Sequence, residues 1–189
     1  MFLDESGFSL TPTVKRTWAP KGHTPHLYHW CKHDKLSAIS ALTVSTHHRH
    51  LGLYLRLAAN RAFNGLDVRA FLRALLRHLR GTVVLVWDRG TIHKRREVQR
   101  YLAAHARVHP YFFPAYAPEL NPAEHIWNQA DAALANGAPP HLEQLRGRLR
   151  RHGPAPQLAT APVGLHQGFR PALETLGCSI TYTILNNKT

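Results

Sequence analysis

The sequence is poor in acid: 189 residues hold 11 Asp and Glu against 24 Lys and Arg, a formal charge of +13 and a pI near 10.6. It also lacks any run of about 18 apolar residues, which argues against a membrane-spanning helix. An acid at Asp4 interrupts the opening stretch MFLDESGF, so no secretory signal is expected. Cysteine is scarce. Cys31 and Cys178 stand far apart, form no metal-type pair, and suit a reducing compartment. There is no internal repeat. What is present is a chain 44% hydrophobic, long enough to bury a core and sized for one domain with an appendage.

A basic excess of this size usually answers a polyanion, nucleic acid before membrane, because neutralised phosphates release counterions. A basic protein with no specific ligand has the same composition, so charge alone does not decide. The few acids are therefore worth locating one by one.

Hydrophobic periodicity gives the element order. Leu51, Leu53, Leu55 and Leu57 alternate with Gly52, Tyr54 and Arg56, the pattern of a half-buried strand. Leu36 to Val44 is rich in strand formers, and the polar stretch His47-His48-Arg49-His50 predicts a hairpin between the two. A helix is expected over about 67–80, with Val68, Phe71, Leu72, Leu75, Leu76 and Leu79 inward, Arg69, Arg73 and Arg77 outward, and Gly81 to end it. Val83 to Trp87 is apolar without alternation and predicts a central strand covered on both faces, ending on Asp88. A helix over 94–106, a strand over 109–113 and a Pro-rich loop follow. A third helix starts at Pro122, with Ala123, Ile126, Trp127 and Ala130 inward. A fourth covers 140–151, with Leu142, Leu145 and Leu149 inward and Arg146, Arg148, Arg150 and Arg151 outward. Residues 153–162 read as a Pro- and Ala-rich linker, and 164–189 give weak signals. This order describes an α/β domain with a mixed sheet.

Asp4 follows a short apolar start and is expected on or at the end of the first strand. Asp88 ends the buried strand, and Glu124 lies in the first turn of the third helix. Strand carboxyl ends and helix N-termini meet at one edge of such a sheet, so the three acids can converge. Three carboxylates without cysteine suit a hard cation, Mg²⁺ or Mn²⁺, and two such ions about 4 Å apart serve phosphodiester displacement. Each acid also has a plainer reading. Asp88 could be a turn residue, Asp4 and Glu5 exposed charges, and Asn121 with Glu124 a capping box. His47, His48 and His50 invite a zinc reading, but histidines in a hairpin turn with no matching acid are more often solvent-exposed.

The local wording narrows the choice. Asp4-Glu5-Ser6-Gly7-Phe8, Trp87-Asp88-Arg89-Gly90-Thr91-Ile92-His93, and the run from Pro114 through Glu119-Leu120-Asn121-Pro122-Ala123-Glu124 to Trp127 strongly resemble the IS630/Tc1/mariner superfamily of transposases, most closely its bacterial IS630 branch. Arg16 to Gly22 is similar to the segment that follows the family's first aspartate. The resemblance covers about residues 1–150, and the 35 residues between Asp88 and Glu124 match the group's spacing. It implies an RNase H-like fold, a mixed central sheet of about five strands flanked by helices. The catalytic domain would span 1–152, with linker and tail over 153–189.

The resemblance further implies Asp4, Asp88 and Glu124 as the catalytic and metal-binding triad of a DDE enzyme. Such an enzyme uses two Mg²⁺ or Mn²⁺ ions, cleaves DNA at insertion-sequence ends, and joins a 3′-hydroxyl to target DNA. Glu119 precedes the helix, whereas Glu124 occupies the family's catalytic slot. His93 and Asn121 are supporting candidates; His93 would orient a phosphate or carboxylate, or simply pack at a helix start. Lys15, Arg16, Lys21, Lys94, Arg95, Arg96, Arg146 and Arg150 are candidate DNA contacts, and the arginine rows read equally well as solvated helix faces.

The expected partners are double-stranded DNA, as element ends and target, and a second copy in a homodimer; no membrane is expected. Family members usually carry an N-terminal helix-turn-helix region, and this chain starts three residues before its first acid. That region would be a separately encoded protein, or lost. The alternative function is accordingly a catalytically incompetent remnant that binds DNA non-specifically. An RNase H-like nuclease for RNA–DNA hybrids is disfavoured by the Pro-rich motif before Glu124. The expected location is the bacterial cytoplasm, at the nucleoid.

Overall fold

The pleat of the first strand sets the layers. β1 (Phe2–Ser9) sends Leu3 into one core and Phe8 into another, because successive side chains of a strand face opposite ways. In the computed structural model, which describes residues 1–11, 13–28, 33–45, 50–115, 117–152 and 179–184, β1 lies inside a six-stranded sheet. β2 (Lys35–Ser45) and β3 (His50–Ala59) form the expected hairpin, with Ser45 opposite His50. β2 also runs antiparallel to β1, where Ser40 faces Asp4. β4 (Val83–Trp87) and β5 (Val108–Phe112) add in parallel on the other side of β1. β6 (Ser179–Ile184) lies parallel to β3, so the order is β5-β4-β1-β2-β3-β6. The five strands β1–β5 make the mixed RNase H-like sheet that was expected, and β6 widens it at one edge.

Helices cover both faces. α1 (Gly65–His78) is opened by a capping box: Asp67 N donates to Asn64 Oδ1 at 3.1 Å, and Asn64 N to Asp67 Oδ2 at 3.1 Å. Its stripe of Val68, Phe71, Leu72 and Leu75 packs with α2 (Arg96–Ala103) over Leu3, Ile39, Leu85 and Trp87. On the opposite face α3 (Pro122–Leu134) and α4 (Leu142–His152) lay Ile126, Trp127, Ala130, Leu145 and Leu149 over Phe8, Leu36, Leu42, Leu53 and Leu55. Each such buried side chain contributes about 1.5–3 kcal/mol of transfer free energy.

Asp4 lies on the first strand, as expected, and β1 runs on to Ser9 to anchor it there. Other expectations need correction. β3 is covered on both faces rather than half-buried. Tyr54 packs against the first core, its ring 5.9 Å from His78 of α1, and Arg56 is only 7% exposed. β4 departs in the opposite sense: Val83, Leu85 and Trp87 are buried, while Val84 is 49% exposed. On that side of the sheet α3 and α4 pack on β1 and β2. α1 begins two residues earlier than expected and α2 is shorter, because the chain from Thr91 to Lys94 turns His93 inward before the helix starts. The turn 46–49, Cys31, Cys178 and the linker 153–162 lie outside the described residues. Among those described, no helix is long and apolar enough to cross a membrane.

Candidate active site

Strand parity puts Asp4 on the α3 face of β1. Its Oδ2 accepts from Asn121 Nδ2 at 2.9 Å and from Trp127 Nε1 at 3.1 Å, and its Oδ1 accepts from Glu5 N at 3.0 Å. The side chain is buried, and burial, helped by the charges of Glu124 and Glu5, pushes its pKa up to about 7 against the opposing effect of the Glu5 and Trp127 N–H donors. A carboxylate raised in this way is short of positive charge.

Asn121 ties this acid to the helix that carries Glu124. As N-cap of α3 it accepts from Ala123 N at 3.1 Å through Oδ1 while its amide nitrogen reaches Asp4. The capping-box reading of Asn121 and Glu124 is not what forms. The backbone N–H that Glu124 would have to reach is already bonded to Pro118 O at 2.9 Å. Glu124, half-buried in the first turn, keeps its carboxylate unspent on the cap and facing the field of Asp4.

Asp88 stands just past β4, its side chain 55% exposed. Its Oδ1 accepts from Gly90 N at 2.9 Å in a tight turn, and a Cβ on Gly90 would sit 2.9 Å from that same oxygen and make the Asp88 side chain shift. His93, fully buried, stacks on Trp87 with ring centroids 4.3 Å apart. Its Nε2 lies 2.9 Å from Asp88 Oδ1 and 3.4 Å from Glu5 Oε2. These are charge contacts rather than well-aligned hydrogen bonds, since neither ring nitrogen has a partner of good geometry. Burial depresses the imidazole pKa, but the two carboxylates outweigh it and hold the ring at about 9. In return His93, with the Gly90 N–H and Lys94, keeps Asp88 below the usual carboxylate range against burial. At neutral pH one imidazolium therefore serves two carboxylates.

Adjacent residues of one strand thus feed two half-sites. Asp4 joins Asn121, Trp127 and Glu124 on the α3 side; Glu5 joins His93 and Asp88 on the α2 side. Among the described residues no three His, Cys, Asp or Glu groups stand close enough to hold an ion. The donor chemistry is nevertheless oxygen-only and anionic, which fits a hard divalent cation, and the raised pKa of Asp4 beside Glu124 marks where positive charge is missing.

The predicted basic contacts lie on three separate segments of the chain. Lys15, Arg16 and Lys21 lie in the exposed segment 13–28 between β1 and β2. Lys94, Arg95 and Arg96 are exposed at the turn into α2, where Lys94 acts on Asp88. Arg146 and Arg150 are on α4, the former 4.0 Å from Glu143. Two residues gained roles that sequence reasoning did not assign. Trp127, read as a core residue that pins α3, also donates to Asp4; Glu5, for which an exposed charge was one reading, faces His93. Strand alternation contained the second signal, since it sends neighbouring acids to opposite faces.

Residues 1–146 match the family model of the DDE superfamily endonucleases. Over 127 residues the chain is 25% identical to an uncharacterised 39 kDa protein of insertion element IS630 from Shigella sonnei, covering 67% of this chain and 36% of that protein. It therefore spans about a third of the length of that curated relative. Among solved structures it resembles the Mos1 mariner paired-end complex with Mn, with a TM-score of 0.63 at 18% identity over 93% of this chain and 51% of the other. The Mos1 strand transfer complex gives a TM-score of 0.62 at 19% identity, over 93% and 50%. At these identities the structural likeness speaks for the fold alone, here RNase H-like. The extent of the family match settles membership: this chain belongs to the DDE superfamily endonucleases.

Proposed function

We propose that the chain is the catalytic domain of a transposase, and that Asp4, Asp88 and Glu124 hold divalent cations, two Mg²⁺ or Mn²⁺, for cleavage and joining of DNA at insertion-sequence ends. The observation that carries this reading is Asp4 of β1, buried within the electrostatic reach of Glu124 of α3, whose charge helps to raise its pKa, in an otherwise strongly basic chain. Bound there, the metal ions would activate the attacking oxygen and stabilise the leaving one. The protein's own groups do the positioning. Asn121 and Trp127 fix the orientation of Asp4, and the α3 N-cap fixes the turn that bears Glu124. His93 lies 2.9 Å from Oδ1 of Asp88, whose side chain stays 55% exposed. Partner copies and a helix-turn-helix region belong to this same proposal as the parts that would recognise a whole element.

The test is a labelled duplex carrying the element end, incubated with Mg²⁺ or Mn²⁺ with and without a separately made N-terminal domain. Nicked and joined products are expected from the parent. Asp88→Asn should abolish both while DNA binding is retained. Cutting by Asp88→Asn at the parent rate would reject the site assignment.

A further inference from the structure

We propose that the outward face of the α1–α2 layer is a DNA-backbone surface, on which Arg69, Arg73, Arg77, Arg80, Arg96 and Arg100 contact the phosphates of one duplex. It draws on the reading above only in taking DNA as the polyanion. All six side chains are exposed, and none is ion-paired among the described residues. Arg69, Arg73 and Arg77 fall at i, i+4 and i+8 of α1, so they form one row. Arg73 and Arg77 lie near enough to Tyr101 of α2 to act on its phenol, which makes the two helices one surface. That surface begins at the candidate active site. Gly65, the first residue of α1, sits against Arg95 and Glu97, directly after the turn that carries His93 and Lys94.

The charge is uncompensated. Residues 65–107 hold ten Lys and Arg against three acids, seven of the chain's formal +13. Of those acids, Asp67 is tied to Arg61 by two contacts of 2.6 and 2.9 Å and Asp88 to His93, leaving only Glu97. A helix face built merely for solvent interleaves Glu with Arg, because like charges at i, i+4 weaken the helix. α1 carries that repulsion twice along its row, a cost that an anionic partner would reverse. Guanidinium forks suit phosphate oxygens. The row from Arg69 to Arg77 spans about 12 Å, a length of duplex that carries roughly seven phosphates. α4 differs, since its Arg146 has Glu143 at 4.0 Å.

The experiment measures binding of the full chain to a short labelled duplex of unrelated sequence by fluorescence anisotropy. It is run in EDTA, so nothing is cut, across about 0.05–0.3 M KCl. Arg69→Gln/Arg73→Gln/Arg77→Gln should weaken binding at about 0.1 M salt by roughly 10²-fold and make the slope of log K against log salt shallower by about 2.7. Arg150→Gln/Arg151→Gln on the opposite layer should change the slope by less than about 0.5. A far-ultraviolet circular dichroism spectrum checks that α1 is intact. An unchanged slope in the triple variant would overturn the proposal, as would an equal loss per charge in the α4 pair. So would an effect confined to sedimentation, which would make this face a contact between copies. A failure of the catalytic reading shows separately, as absent cutting by the parent with Mg²⁺ while the salt slope in EDTA still depends on the α1 arginines.

Discussion

Replacing Asp4 by Asn should invert its effect on stability with pH. The folded carboxyl titrates at about 7 and the unfolded one at 3.8. Between those values the folded chain keeps a proton that the unfolded chain has released, so this group's contribution to stability falls as pH rises from about 4 to 7. Three pKa units at 1.36 kcal/mol each place the full cost near 4 kcal/mol above pH 7. Asn abolishes that cost. Its carbonyl oxygen can take over the donors Asn121 Nδ2 and Trp127 Nε1, but its amide then meets the Glu5 N–H donor to donor. Stranding that buried donor costs about 1–3 kcal/mol at any pH. Asp4→Asn should therefore be less stable than the parent by about 1–3 kcal/mol near pH 4 and more stable by a similar amount at pH 8. The assay is urea unfolding followed by tryptophan fluorescence, in EDTA, at intervals across that range. A stability difference that stays flat across the range, or that moves the other way, refutes the reasoning. Adding Mn²⁺ at pH 8 should then stabilise the parent and leave the variant unchanged, because a ligand of the native state stabilises only the chain that binds it.

His93→Gln should cost about 2.5 kcal/mol at pH 7, since an imidazole raised from 6.5 to about 9 contributes most below pH 6.5 and loses its contribution as pH passes 9. Denaturation at pH 7 and pH 10 checks it: the gap between parent and variant should close at the higher pH, and a constant gap would assign His93 to packing alone. Trp127→Phe removes the 3.1 Å bond to Asp4 while keeping a ring against Phe8. It should cost about 1.5–3 kcal/mol at pH 8, where the acceptor is charged, and raise the Asp4 pKa further, read by carboxyl ¹³C titration.

The element order and the apolar stripes of α1, α3 and α4 were legible in the sequence, because period, cap and punctuation are local properties of the chain. So was the family, carried by three short segments that lie far apart in the chain. Local pattern could not say how far each helix reaches across the sheet. For that reason β4, apolar at every position, is open over Val84, and β3, polar at alternate positions, is covered over Arg56. Nor could it choose the partner of a polar group. Asn121 and Glu124 have capping-box spacing, but Pro118 takes the donor that the box needs, and the Asn121 amide goes instead to an acid 117 residues away. The basic background was a matter of counting, whereas the unpaired arginine rows of α1 and α2 emerge only when the helices pack and the acids are seen to be spent elsewhere. Composition by itself pointed to a polyanionic partner. The tertiary structure decided which side chains remain free to meet one, because hydrogen bonds and ion pairs are allotted by proximity in space and not along the chain.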